Sequence, residues 1–263
     1  MATQERNDQM VDLLLADLQG RNEPQKSLAY TMSLIMALPG LRGFWPMSAV
    51  DSSGNAFDQS GNGRTLTYNG NPTYNYAGLV PYIDLDGTGD YLSRATEAGL
   101  DILGTESYIV NPGLTMGGWF QITSLPGSTF PAFMGKVSGA SQRSYWLPYN
   151  STTGEVLFVI TNDGSTSVQV SGGNLSVGTW YFIAGRFEPS TELAIWINGT
   201  QSTNTTSIPA SIFNSSSALE IGRNASSSAV VDGRASMCFL CASYLSDTIV
   251  SDIYQQSRVM FGV

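Results

Sequence analysis

Histidine, cysteine and carboxylate set the limits on what chemistry this chain can perform. It has no histidine, which removes Ser-His-Asp triads, imidazole acid–base catalysis and histidine-ligated zinc together. Its cysteines are Cys238 and Cys241, a C-x-x-C pair inside Met237-Cys238-Phe239-Leu240-Cys241-Ala242. A structural zinc needs about four ligands, and the chain has no others of that kind. The apolar flanks read instead as a buried strand, where residues three apart face opposite sides, so neither a disulfide nor a shared metal fits. Glycoside hydrolysis needs two carboxylates about 5–10 Å apart in a cleft. Glu97, Glu106, Glu155, Glu188, Glu192 and Glu220 stand isolated, and no phosphate-binding glycine loop is present. Asp58, Asp90 and Asp232 sit in turn contexts at the ends of strand patterns. They are the hard oxygen ligands that calcium takes, and calcium is the one cofactor these residues suggest. They are equally the residues that bond to their own turn backbones.

The elements that must position these side chains are mostly strands. The chain has 263 residues, a net charge of −9, 42% hydrophobic residues and only 13% charged ones. Ser, Thr, Asn and Gly fill the surface, as in a β-rich extracellular or virion-surface protein. A nucleic-acid partner requires a basic face, and no Lys/Arg cluster exists. The longest apolar stretch, Leu28 to Leu38, is broken by Tyr30, Thr31 and Ser33 and falls short of the ~20 residues of a membrane span. Met1 to Gln9 lacks the pattern of a secretory signal, so the chain is expected to be made in a cytoplasm. The Asn-x-Ser/Thr sites at Asn150, Asn174, Asn198, Asn204, Asn214 and Asn224 then reflect composition rather than glycosylation.

Residues 1–40 carry a helical pattern. Val11, Leu14, Leu15 and Leu18 follow the i, i+3, i+4, i+7 spacing of one helix face, ending at Gly20. A second helix is predicted from Pro24 to Leu38, with a stripe of Leu28, Met32, Ile35 and Met36 and a stop at Pro39-Gly40. Isolated short helices are marginal in water. The stripes must therefore pack on the following domain, on copies of themselves, or on another protein. From Leu41 onward, β-type runs alternate with turn signals such as Asn162-Asp163-Gly164 and Asn198-Gly199. Such spacing means a sandwich or barrel. Trp119, Trp180 and Trp196 lie inside strand patterns and are expected in the core. Asp247 to Ser257 reads as an amphipathic helix with Ile249, Ile253 and Tyr254 inward.

Several runs resemble laminin G-like modules. Gly43-Phe44-Trp45-Pro46 resembles their opening strand. Asp58-Gln59-Ser60-Gly61-Asn62-Gly63 resembles their D-x-S-G-N-G turn, and Ile83 to Leu92 their F-D-G-x-x-D-Y strand pair. Gly117-Gly118-Trp119-Phe120, Gly178-Thr179-Trp180-Tyr181-Phe182 and Ile195-Trp196-Ile197-Asn198-Gly199 resemble later strands, with Tyr181 where histidine is usual. Asp232-Gly233-Arg234 and Leu245 to Tyr254 resemble the closing strand and helix. The resemblance spans residues 41 to 258. It implies an all-β, two-sheet antiparallel jelly-roll sandwich of the concanavalin A/laminin G-like kind over residues 41–263. A short N-terminal helical segment, residues 1–40, precedes it as a docking or oligomerisation unit. Ser236 stands where the family often has an acid, which bears against a cation site built on that acid. The E-x-D-x-x-E string of glycanases with this fold is missing.

The fold first suggests carbohydrate binding, with Tyr68, Tyr74, Tyr76, Trp146 and Tyr149 as stacking candidates; the same residues equally suit buried sandwich edges or an oligomer contact. Such modules are often attached to phage structural proteins. The resemblance therefore implies a non-enzymatic virion-surface protein: a capsid decoration protein, head spike or fibre with a lectin-like outer domain. Its expected partners are copies of itself (a trimer suits capsid three-folds), a capsid or tail protein, and a host glycan, with no nucleic acid and no membrane. A cell-surface lectin or adhesin is the alternative, and a glycan-active enzyme comes third.

Overall fold

The computed structural model describes residues 23–48, 50, 51, 53–125, 127 and 129–263. Val11, Leu14, Leu15 and Leu18 lie outside these described residues. An entry helix, Glu23–Met36, leads into β1 (Leu41–Trp45), and a closing helix, Asp247–Phe261, ends the fold. Between them come β2 (Thr67–Asn69), β3 (Thr73–Ala77), β4 (Val80–Asp86), β5 (Tyr91–Arg94) and β6 (Pro112–Ile122). Next are β7 (Ala132–Ser138), β8 (Gln142–Pro148), β9 (Glu155–Thr161), β10 (Ser167–Asn174), β11 (Trp180–Glu188) and β12 (Glu192–Ile197). The series closes with β13 (Thr200–Asn204), β14 (Leu219–Ile221), the pair β15 (Arg223–Asn224) and β16 (Ala229–Val230), and β17 (Asp232–Ser243).

Two antiparallel sheets face each other. One runs β13-β12-β11-β6-β17-β4-β3, with β1 also paired to β17; the other runs β10-β9-β8-β7-β14-β5-β2. Strand β17 is long enough to serve two partners on one edge. Asp232 to Ala235 pair with β4, and Cys238 to Cys241 pair with β1. The changeover is a bulge at Met237, whose φ is +48°. Opposite it stand Gly117 and Gly118, where a Cβ would come within 2.5 Å of the Ile183 carbonyl and 3.0 Å of Cys238. The Gly-Gly pair lets three backbones close up at the bulge.

Strand alternation in the first sheet feeds two cores. Leu114, Met116, Phe120, Ile183, Phe187, Leu193 and Ile195 face the space between the sheets. Trp119, Trp180, Phe182, Ala184, Ala194 and Trp196 face the other way. Both faces of its central strands are buried, so β6, β11, β12 and β17 are apolar over most of their length. The outer face is covered by the two helices. From the closing helix, Val250, Ile253, Tyr254 and Phe261 are buried there, together with Ile35 and Leu38 from the entry segment. Leu28, Met32 and Leu34 pack against the same cluster, whereas Met36 and Tyr30 are exposed.

This corrects the reading of the second helix as a free docking element. Leu28, Met32 and Ile35 are spent on the sandwich itself, because Phe44, Phe239 and Cys241 on the sheet beneath would otherwise face water. Only Met36 of that stripe remains available. The three tryptophans are buried, as expected. Cys238 lies in the inter-sheet core and Cys241 in the helix-side core, both unpaired. Burial pushes both thiols well above their ordinary value.

The closing helix is held at both ends. The Ser246 hydroxyl accepts from the Ile249 amide, and Gly262 adopts a left-handed C-cap with φ +73°. Arg186, nearly buried, pairs with Asp247 of its first turn and with Glu192, and donates to the Leu245 carbonyl at 2.9 Å.

Candidate functional site

The outer face of the seven-stranded sheet carries a cavity of about 250 Å³. Its floor follows from alternation. On β9, Val156, Phe158 and Ile160 point into the inter-sheet core, leaving Leu157 and Val159 on the outer face. On β8, Tyr145 and Leu147 point inward and Trp146 outward. Trp146 is seated by Gly135, its register partner on β7, where a Cβ would approach the Trp146 Cβ to 2.3 Å. A side chain there would lift the indole, so glycine is required.

The wall is built by Phe130, 48% exposed, and by the turn joining β15 to β16. Asn224 fixes that wall. Its Nδ2 donates to the Phe130 carbonyl at 2.8 Å, and its Oδ1 accepts from the Ser226 amide and hydroxyl. On the rim, the Arg143 amide donates to Gly164 O at 3.2 Å and its Nε to Gly139 O at 3.3 Å. Among the described residues, no partner is recorded for its two Nη atoms. The Gln169 amide side chain and the Ser167 hydroxyl on β10 are also uncommitted, and both residues are exposed. No Asp or Glu lines this cavity among the described residues. It therefore has an apolar, aromatic floor on rigid strands and a rim of unpaired donors, the usual make-up of a small-ligand site.

Of the aromatics nominated from sequence, only Trp146 reaches this cavity. Tyr149 is fully buried and stacks on Phe133 at 4.9 Å; it is a core residue and cannot meet a sugar. Tyr68 and Tyr74 stack on each other at 5.1 Å and pack against the inter-sheet core, with both hydroxyls buried. Burial raises the Tyr74 phenol above its ordinary range. Tyr76 is exposed on edge strand β3, away from the cavity lining. Phe130, Arg143, Leu157, Val159 and Gln169 were not expected. The five-residue apolar run Val156 to Ile160 could have signalled Leu157 and Val159, since a strand apolar at every position has two faces to bury or use.

The three aspartates are not brought together. Asp58 is buried, and its carboxylate accepts three backbone N–H groups, from Phe44 (3.0 Å), Ser60 (2.9 Å) and Arg64 (2.8 Å). It organises the turn before β2. Asp90 accepts from the Asn71 amide at 2.8 Å, and Asp232 from the Thr123 and Ser124 hydroxyls. Asp90 and Asp232 do line one acidic cavity of about 330 Å³ with Asp84 and Asp86. Among the described residues, no group of three or more His, Cys, Asp or Glu side chains is arranged to hold a metal. Asp58 thus serves its own turn, while Asp90 and Asp232 share the acidic cavity.

Two packed antiparallel sheets with a jelly-roll order and an open outer face define a lectin-like β-sandwich. A family model, the concanavalin A-like lectin/glucanases superfamily (Laminin_G_3), matches residues 86–237. The chain belongs to that superfamily, as a laminin G-like module. No curated protein matches by sequence. Among solved structures, the receptor-binding domain of botulinum neurotoxin C/D mosaic serotype is similar, with a TM-score of 0.63 at 10% identity over 82% of this chain and 51% of that one. The binding domain of Paraclostridial Mosquitocidal Protein 1 is similar at TM-score 0.65 and 10% identity, covering 82% and 52%. The binding domain of botulinum neurotoxin DC in complex with SialylT is similar at 0.62 and 12%, covering 85% and 52%. The chain spans about half the length of these domains.

Proposed function

We propose that this protein is a non-catalytic recognition module that holds a saccharide in the cavity over Trp146. The observation that carries the reading is the pairing of an aromatic floor with uncommitted polar groups on a rigid sheet. A pyranose presents C–H groups on one face and hydroxyls at its edge, which matches Trp146 and Phe130 below and Gln169, Ser167 and Arg143 around. Similar binding domains solved with SialylT and with rat synaptotagmin II are in keeping with a recognition role. The carboxylates support the absence of catalysis. Glu192 is paired with Arg186 and Glu220 with Arg223, both part-buried. Glu97 sits between Arg64 (2.5 Å) and Arg94 (3.0 Å). Burial opposes its charge, but the two guanidiniums outweigh burial and hold its carboxyl below the usual range, the reverse of what a general acid needs.

The carrier we propose is a virion, with the module as a capsid decoration protein, head spike or fibre. The support is the resemblance of residues 41 to 258 to modules appended to phage structural proteins. An antibody to the module should label intact particles. Labelling of cell envelopes instead would favour an adhesin.

Phe130→Ala tests the cavity at little cost to the fold, because half of that ring is already in solvent. On a glycan array followed by titration, the wild type should retain a defined set of saccharides. Phe130→Ala should weaken them by roughly tenfold, the worth of one aromatic contact. Retention of no saccharide at millimolar concentration, or equal binding by the variant, would remove this reading.

A further inference from the structure

The cavity also indicates which class of saccharide it takes. The protein carries a net charge of −9, with 21 acidic residues against 12 basic. Yet the cavity over Trp146 is lined by one arginine and, among the described residues, by no carboxylate. An acidic surface that keeps acids out of this aromatic-floored cavity, and puts a guanidinium there, is selecting charge locally.

Arg143 is placed to use that charge. Its backbone is pinned at a strand position by the Gly164 carbonyl, and its Nε is held by the Gly139 carbonyl at 3.3 Å. The Nε contact ties the guanidinium at one corner. Its two Nη atoms remain without a recorded partner among the described residues. Most other arginines here are consumed: Arg186 by Asp247 and Glu192, Arg223 by Glu220, Arg234 by Asp84, and Arg64 and Arg94 by Glu97. A planar guanidinium with its two Nη donors side by side matches a planar carboxylate by two parallel hydrogen bonds. The apolar floor formed by Trp146, Leu157 and Val159 beside it accepts the C–H face of the ring that bears the carboxylate. Beyond about a Debye length of ~8 Å the field of the acidic surface is screened, so the local pair decides.

We infer that the ligand is a carboxylate-bearing saccharide, a uronate or sialate, oriented by Arg143 through its carboxylate. The inference rests on the reading of this cavity as a saccharide site. Matched probes separate the two. Oligogalacturonate is titrated against its methyl ester, sialyllactose against lactose, and a sulfated lactose serves as a non-planar anion. The wild type should bind an acid form at least tenfold tighter than its neutral partner. Arg143→Gln should abolish that preference, bringing acid and neutral forms to the same affinity. Arg143→Lys, which keeps the charge but loses the fork, should recover only part of it. Thermal unfolding of both variants should stay near wild type, because the one side-chain bond at risk among the described residues is the exposed 3.3 Å contact of Nε with Gly139 O.

Equal or tighter binding of the neutral forms, with Phe130→Ala still weakening them, would overturn the acid preference and leave the saccharide reading standing. Tighter binding of the sulfated probe would overturn the carboxylate assignment. A short peptide with a free C-terminal carboxylate that outcompetes every sugar acid would overturn the saccharide class. Binding of none of the probes, acid or neutral, would remove both readings.

Discussion

Replacing Trp119 by alanine should cost about 3–5 kcal/mol of folding stability, the range for deleting a buried tryptophan. The indole sits at the centre of the layer between the eight-stranded sheet and the helices. It stacks on Phe261 at 4.0 Å with the planes 8° apart, and lies 5.7 Å from Phe182 and 6.2 Å from Tyr254. Its Nε1 donates to the Ser257 hydroxyl at 2.9 Å. Removing it opens a cavity in two elements together, so the closing helix should loosen with it. Trp119→Phe should cost much less, because the ring contact with Phe261 survives and Ser257 keeps its bond to the Ile253 carbonyl at 2.6 Å. Urea unfolding measures both, and an unchanged slope would confirm that stability alone has moved. A loss under 1 kcal/mol for the alanine variant would mean the helix layer is not packed as described.

The parts of the fold legible in sequence were those where one residue type has one physical use. Asn198-Gly199 announced a hairpin, and the structure gives both residues positive φ, +49° and +80°. The apolar strands around Trp119, Trp180 and Trp196 were found because each has a side chain that must be buried. Polar edge strands were not. Thr200–Asn204 has no apolar side chain, because an edge strand gains its place from pairing with β12 rather than from burial. The closing helix was expected to end at Ser257 but runs to Phe261, since its last turn is held by the contact of Phe261 with Trp119, which no local pattern reveals.

The candidate site was less legible for a related reason. Aromatic type does not say which face of a strand a ring occupies once both faces are apolar. Trp146 and Tyr149 lie three residues apart, yet one lines the outer cavity and the other stacks in the core. The seat for Trp146 is a glycine on a different strand, Gly135, and the wall at Phe130 is pinned by Asn224, 94 residues further along. These partners meet only through sheet register. Likewise Asp58, Asp90 and Asp232 share turn chemistry in sequence, but only Asp90 and Asp232 come to one cavity, while Asp58 organises a different turn.

Deleting residues 1–38 should destabilise the sandwich rather than release it as a free module. Ile35 and Leu38 are 1% and 7% exposed, and Leu28, Met32 and Leu34 pack on the same cluster. A fully buried side chain of this kind contributes ~1.5–3 kcal/mol, an upper estimate because unfolded chains already bury some apolar surface. Loss of even half of that total approaches the whole stability of an ordinary domain. The truncated chain would also present Phe44, Phe239 and Cys241 to water as one apolar patch, so dye binding and aggregation should rise. Deleting only residues 1–22 is the informative contrast. It leaves Leu28 to Leu38 in place, so the melting temperature should stay near that of the full chain. Any self-association or particle binding that depends on Val11, Leu14, Leu15 and Leu18 should be lost. A stable, soluble 39–263 chain would show that the entry helix is not part of the core. A 1–22 deletion that melts many degrees lower would show that the first stripe, too, is spent on the sandwich and is not free to dock.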